Sequence, residues 1–167
     1  KINLVIECGK RIHTTQYPKP SPTSPSVCAM TLRKYLVNSI LQDVRQISFD
    51  RIIELKFKKG EDFFLIIVEL FGKGNILLTN EESRILAVMH PQRFKIRNLI
   101  GRETYIPPPP KLNPFELSSN ELINIVNESK SNLVKSLASN LGLGGLYAEE
   151  ICLRANVNKN SEKVDII

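Results

Sequence analysis

Four consecutive prolines, Pro107–Pro110, divide this chain more firmly than any other feature. Proline lacks an amide N–H and fixes φ, so four in a row suit neither a helix interior nor a paired strand and favour a stiff polyproline II spacer. Before them, apolar residues alternate with period two or run together in short stretches, as strands do. After them, apolar residues recur every three or four positions, as in helices. The 167 residues therefore predict an α+β protein with a β-rich domain at 1–106, a proline-rich linker at 107–115 and a small helical domain at 116–167.

The β-rich part opens with a strand at Ile2–Cys8, followed by the loop TTQYPKPSPTSPS, whose four prolines exclude regular structure. A basic helix is expected next, in SVCAMTLRKYLVNSIL. Val27, Met30, Leu32, Leu36 and Ile40 fall at roughly helical spacing, with Ser24 as N-cap and Pro25 in the first turn. Then come a strand from Gln46 to Phe57, the continuously apolar FFLIIVELF (63–71), NILLT (75–79) and RILAVMH (84–90). The turns KKGED, GKGN and NEES separate them, so an antiparallel meander is expected with 63–71 at its centre. Beyond the prolines, LSSNELINIVNE, KSNLVKSLASNL and GGLYAEEICLRANV read as helices, the first capped by Ser118 or Ser119 with Glu121 or Asn120 in its opening turn.

Charge is unevenly distributed. Residues 1–115 hold 18 Lys+Arg against 10 Asp+Glu, whereas residues 116–167 hold 5 against 7. An excess of this kind on one part suits a polyanionic partner, nucleic acid before others. The cysteines, Cys8, Cys28 and Cys152, are odd in number and lack C-x-x-C spacing, which predicts free thiols in a reducing compartment. With only His13 and His90 beside them, neither a zinc site nor any other metal or cofactor is expected. The longest apolar run, Phe63–Val68, is far too short to span a bilayer. The chain opens on KINLVIE without Met or a visible signal peptide and is expected to be a fragment lacking its natural N-terminus.

Two stretches could carry chemistry. In QISFDRII the adjacent Asp50 and Arg51 fall within an otherwise apolar strand pattern. Arg51 lands on the apolar face, where an unpaired guanidinium is costly, so the pair is either a structural ion pair or a recognition element displayed at a sheet rim. In LGLGGLYAEEI, Gly142, Gly144 and Gly145 with Ala148 fit the pattern of a helix-hairpin-helix, whose second helix can offer free N–H groups to phosphate. GKGN lacks Walker spacing and reads as a turn. No nucleophile–base arrangement stands out, and no enzymatic activity is expected.

Taken in order, ECGKRIH with LRKYL, QDVRQISFDRIIEL, VELFGKGNILLT, YIPPPP and LGLGGLYAEEICLRA resemble the N-terminal region of the NFACT family, ribosome-associated quality control factors also called fibronectin-binding proteins or Caliban homologues. The resemblance spans nearly the whole chain. It implies a mostly antiparallel β-sandwich similar to the N-terminal domain of formamidopyrimidine-DNA glycosylases, followed by a helix-hairpin-helix domain. It further implies a cytoplasmic RNA-binding module that binds tRNA and the large ribosomal subunit carrying stalled peptidyl-tRNA, supporting template-free C-terminal tailing. Asp50 and Arg51 match the family's functional pair, and Glu69, Gly72 and Asn75, with Leu70, Ile76 and Leu78, match its E-L-x-G-x-x-N-I-x-L segment.

On this reading Asp50 and Arg51 contact tRNA. Arg33, Lys34, Arg93, Lys95 and Arg97 supply sequence-independent phosphate contacts. Two rivals stand beside it: a DNA glycosylase-like enzyme, and an adhesin that binds fibronectin.

Overall fold

The computed structural model describes residues 2–162. The chain forms two compact units, one made of the residues through Ile47 with Arg51–Pro108, the other of Ser48–Asp50 with the residues from Pro109 onward. The main division thus falls inside the proline run, where the missing N–H groups keep either unit from extending its secondary structure across.

At the centre of the first unit is a five-stranded antiparallel meander, in the order β3 (Ile40–Gln46), β4 (Ile52–Lys59), β5 (Asp62–Glu69), β6 (Asn75–Asn80) and β7 (Ile85–Val88). The apolar run is central, as its two-sided patterning predicts. On one face Ile67 of β5 joins Ile52, Leu77, Ile85, Leu99 and Tyr105 in a core. On the other, Phe64 packs with Leu78 and Ala87. Because side chains alternate along a strand, a central strand covered on both faces must be apolar at successive positions. The β4–β5 register, Ile52↔Glu69 to Lys59↔Asp62, is closed by a two-residue turn in which Gly60 takes φ +62°.

Covering the second face is α1 (Val27–Leu36), which turns Cys28, Leu32, Tyr35 and Leu36 onto Phe64, Leu78 and Ala87. Its limits differ from expectation. Ser26, not Ser24, is the N-cap, its hydroxyl accepting from the Ala29 N–H at 3.2 Å. Val27 and Met30, placed by their spacing on the buried face, are exposed. The helix also ends earlier, because Asn38 adopts φ +64° and the Ser39 N–H turns back to Leu36 O. The following residues form β3, an edge strand exposed along its whole length, whose first two residues the apolar spacing had placed in the helix.

Two small hairpins complete this unit. The predicted opening strand is β1 (Asn3–Glu7), but its partner β2 (Arg11–Thr15) was not expected. Short β8 (Gln92–Arg93) and β9 (Asn98–Leu99) pair with each other, and Leu99 reaches the main core. The turn of the β1–β2 hairpin abuts the GKGN turn through bare backbone. A Cβ added to Gly74 would lie 1.9 Å from the Gly9 nitrogen, and one on Gly9 would lie 2.8 Å from the Gly72 carbonyl oxygen.

The second unit holds α2 (Ser119–Glu128), α3 (Leu133–Asn140) and α4 (Gly144–Arg154) around Val126, Leu133, Leu137, Leu141, Ala148 and Cys152. Ser118 and Glu121 form a reciprocal capping box at the start of α2. At the start of α3, the Leu133 and Val134 N–H groups donate to Ser161 O and Lys159 O, so orphan donors are satisfied by the chain's own later residues.

The glycine contact gives a graded prediction. Gly74→Ala should lose on the order of 3 kcal/mol, because positive φ and a backbone clash add. Gly60→Ala, with the same kind of φ but open space around it, should lose only about 1 kcal/mol. Urea unfolding of both variants checks the difference.

Candidate nucleic-acid interface

Asp50 and Arg51 do not lie within a strand. They occupy the turn between β3 and β4, and β4 begins only at Ile52. The alternation from Ile47 to Phe57 suggested one continuous strand, but Ser48 takes φ +51° and interrupts it. Backbone bonds fasten the turn on both sides: the Ile47 N–H donates to Ile52 O at 2.9 Å, and the Leu70 N–H donates to Arg51 O at 2.8 Å. The two side chains are treated differently. Arg51 is exposed, whereas Asp50 retains 8% of its surface. A guanidinium on a pinned main chain begins with part of its conformational freedom already removed, which suits a group meant to meet a phosphate or base edge.

The neighbouring E-L-x-G-x-x-N-I segment is built into the interior. Glu69, at the end of β5, accepts two hydrogen bonds from the Arg97 guanidinium, one of them 3.1 Å long, and a third from the Tyr105 hydroxyl at 3.1 Å. Asn75 is fully enclosed and clamps β6 to the end of β7: its Nδ2 donates to His90 O at 2.7 Å while its Oδ1 accepts from the His90 and Ile76 N–H groups, both at 3.0 Å. Gly72, at φ +57°, turns the chain between them. These three residues shape the sheet end next to the Asp50–Arg51 turn, since the Leu70 amide that holds Arg51 follows Glu69 directly.

Arg97 requires a correction. Expected among the phosphate contacts, it retains 7% of its surface and is enclosed by the Phe94 and Phe71 rings, at 5.0 and 6.0 Å, besides its bonds to Glu69. Burial by itself would make the guanidinium easier to deprotonate, but the hydrogen bonds and charge of Glu69 outweigh it and hold Arg97 firmly protonated. The same burial, with the Glu69 charge, pushes the Tyr105 hydroxyl well above the ordinary tyrosine range. Sequence patterning missed this arrangement because Glu69 and Arg97 lie 28 residues apart, with no local spacing to join them.

The other basic candidates remain on the surface. Arg33 and Lys34 project from the last turn of α1, and Arg93 and Lys95 from β8 and the turn after it. Three further lysines come into play. Lys59 Nζ donates to Lys34 O at 3.1 Å, and Lys56 and Lys58 stand 4.3 and 5.5 Å from the Phe63 ring. The period-two spacing of Lys56 and Lys58 in β4, with Lys58 opposite Phe63 in the β4–β5 register, was available in the sequence once the hairpin was assigned.

In the second unit, Gly142 adopts φ +66° in the turn from α3 to α4, Gly144 adopts φ +77° as the first residue of α4, and Ala148 is fully buried. Gly145 has an ordinary negative φ with open space around its Cα. No side-chain hydrogen bond caps α4, so its first amides, which like those of any helix lack intrahelical acceptors, gain none from a capping side chain. Glu149 and Glu150 are bonded to Lys159 and Arg154, at 2.9 and 2.6 Å.

The family model described as "NFACT N-terminal and middle domains" matches residues 1–166. The chain belongs to the NFACT family. This NFACT chain is 38% identical over 164 residues to "Archaeal Rqc2 homolog aRqcH" of Methanocaldococcus jannaschii, a match covering 93% of the chain and 24% of the relative. It is 32% identical to the human "Ribosome quality control complex subunit NEMF", over 99% of the chain and 16% of that protein. Among solved structures, the N-terminal domain of the fibronectin-binding protein PavA from Streptococcus pneumoniae aligns at TM-score 0.66 with 30% identity, covering 87% of the NFACT chain and 60% of that structure. The fibrinogen-binding protein from Staphylococcus aureus aligns at 0.74 with 24% identity, covering 95% and 61%, and supports the fold. The chain therefore spans about a quarter or less of the length of these two curated relatives. Among the described residues no helix is long and apolar enough to cross a membrane.

Replacing Glu69 by Ala would leave the Arg97 charge buried without its partner. Thermal or urea unfolding is expected to record a loss of about 3–5 kcal/mol. Arg93→Ala, on the surface of the same segment, should change stability by less than about 0.5 kcal/mol.

Proposed function

We propose that this chain is the RNA-binding module of a ribosome-associated quality control factor, holding tRNA against a large ribosomal subunit that carries stalled peptidyl-tRNA and supporting template-free C-terminal tailing. The observation that carries the reading is Arg51, exposed on a turn whose main chain is fastened from both sides, in a chain whose relatives bear ribosome quality control names. Arg51 makes the directional contact, and Asp50 positions the turn. Arg33, Lys34, Arg93 and Lys95, with Lys59 beside Lys34, supply phosphate contacts without sequence preference. RNA shape and unpaired loop bases are the features such a surface reads.

The finer fold assignments belong to this proposal. The β-rich unit takes the part of a glycosylase-like sandwich without its chemistry, and the α3–α4 turn acts as a helix-hairpin-helix whose uncapped α4 amides meet backbone phosphate. The factor works in the cytoplasm and is not itself an enzyme. Strand cleavage of lesion-bearing duplexes by the full-length protein would instead favour glycosylase chemistry.

A second reading draws on the solved neighbours named for fibronectin and fibrinogen binding. Pull-down of the full-length protein with fibronectin against ribosomes separates the two. Retention of fibronectin alone would overturn the RNA proposal.

The decisive experiment is tRNA and large-subunit binding by the full-length protein. Arg51→Ala is expected to weaken tRNA binding at least about tenfold, a loss of about 1.4 kcal/mol, with an unchanged melting temperature. Lys34→Ala should weaken it less and reduce the slope of log affinity against log salt by roughly one phosphate contact. Affinity that does not change between low and physiological salt would remove the basic residues from the interface.

A further inference from the structure

We propose that Cys8, Cys28 and Met89 form a binding site for a soft monovalent metal ion, Cu(I) or its surrogate Ag(I). Sulfur meets sulfur here. Cys8 Sγ donates to Met89 Sδ over 3.2 Å, and Cys28 lines the same groove as Met89 and His90, about 660 Å³ in volume. The cysteines are free thiols.

Each sulfur stands on constrained backbone. The Met89 N–H donates to Ile76 O at 2.9 Å, and the next residue, His90, is clamped at both its N–H and its carbonyl by Asn75. Cys8 immediately precedes Gly9, whose main chain is wedged against the Gly72–Gly74 turn. Cys28 lies in the first turn of α1 and packs against the Phe64, Leu78 and Ala87 cluster. Cys28 and Met89 thus line one groove, and Cys8 joins them through its contact with the Met89 sulfur, so three separate elements bring soft donors toward one place, the kind of preorganisation a metal site needs.

The chemistry selects the ion. Thiolate with thioether favours Cu(I) over hard or borderline divalent ions. Among the described residues no group of three or more His, Cys, Asp and Glu side chains is placed to hold a metal ion, so a zinc-type ligand set is not assembled. Burial raises both thiols above their ordinary range, and at Cys8 the Cys28 charge adds a smaller rise. Thiols kept protonated at neutral pH make slow nucleophiles. A soft cation can still bind by displacing those protons: one Cu(I) enters and one proton leaves for each thiol that becomes a thiolate, so affinity must tighten as pH rises.

The test is an anaerobic Cu(I) titration of the full chain in a Cys152→Ser background, which removes the remaining thiol. Bicinchoninate serves as competitor, mass spectrometry gives the stoichiometry, and melting curves check folding. One ion per chain is expected. Cys8→Ser and Cys28→Ser should each weaken affinity at least about 100-fold, and Met89→Leu, which keeps the bulk and removes the thioether, about tenfold. Failure to compete with the chelator, unchanged affinity in a folded serine variant, or unchanged affinity in Met89→Leu would each overturn the site. Should a serine variant not fold, the Met89→Leu result decides.

Discussion

The first unit is organised around one buried ion pair, Glu69 with Arg97. Both groups are nearly without solvent, and such a pair is tolerated only when its remaining hydrogen-bonding capacity is met. The Tyr105 hydroxyl meets part of it on the carboxylate, and two aromatic rings flank the guanidinium. Through this pair the β8–β9 segment is tied to the end of the central strand, and Leu99 and Tyr105 are carried into the core. The amide following Glu69 is the one that holds the Arg51 carbonyl. An interior electrostatic contact thereby fixes the main chain of an exposed arginine.

That connection explains a mixed motif. In the stretch from Glu69 to Asn75, one residue anchors the buried pair, one turns the chain with positive φ and one clamps a neighbouring strand by three hydrogen bonds. None of these jobs requires a ligand. The exposed side chain lies instead in the short turn beside the motif, where Arg51 reaches solvent. Buried motif residues and the exposed arginine are adjacent here, and burial separates them.

How much the sequence disclosed follows the same line. The meander, its central strand, the capping box of α2 and the glycine turn leading into α4 were legible because each depends on neighbours within a few residues. Arg97 was misread because its partner is distant in sequence, and a basic residue in a basic stretch looks like surface. The Asp50–Arg51 turn was read as strand because one positive φ at Ser48 breaks an alternation that otherwise runs through it. β3 was missed because its first two residues, exposed Ile40 and Leu41, were drawn into the helix by their apolar spacing, and the mostly polar residues that follow gave no strand pattern of their own.

The seam between Gly9 and Gly74 has a mechanical implication. At these two glycines the hairpins meet backbone to backbone, with no Cβ that could fit between. A packed apolar boundary yields by degrees as rotamers shift, but a junction of main chain against main chain has no such compliance. Under load it should part abruptly, releasing the β1–β2 hairpin as a rigid flap and freeing the Cys8 sulfur in the same event.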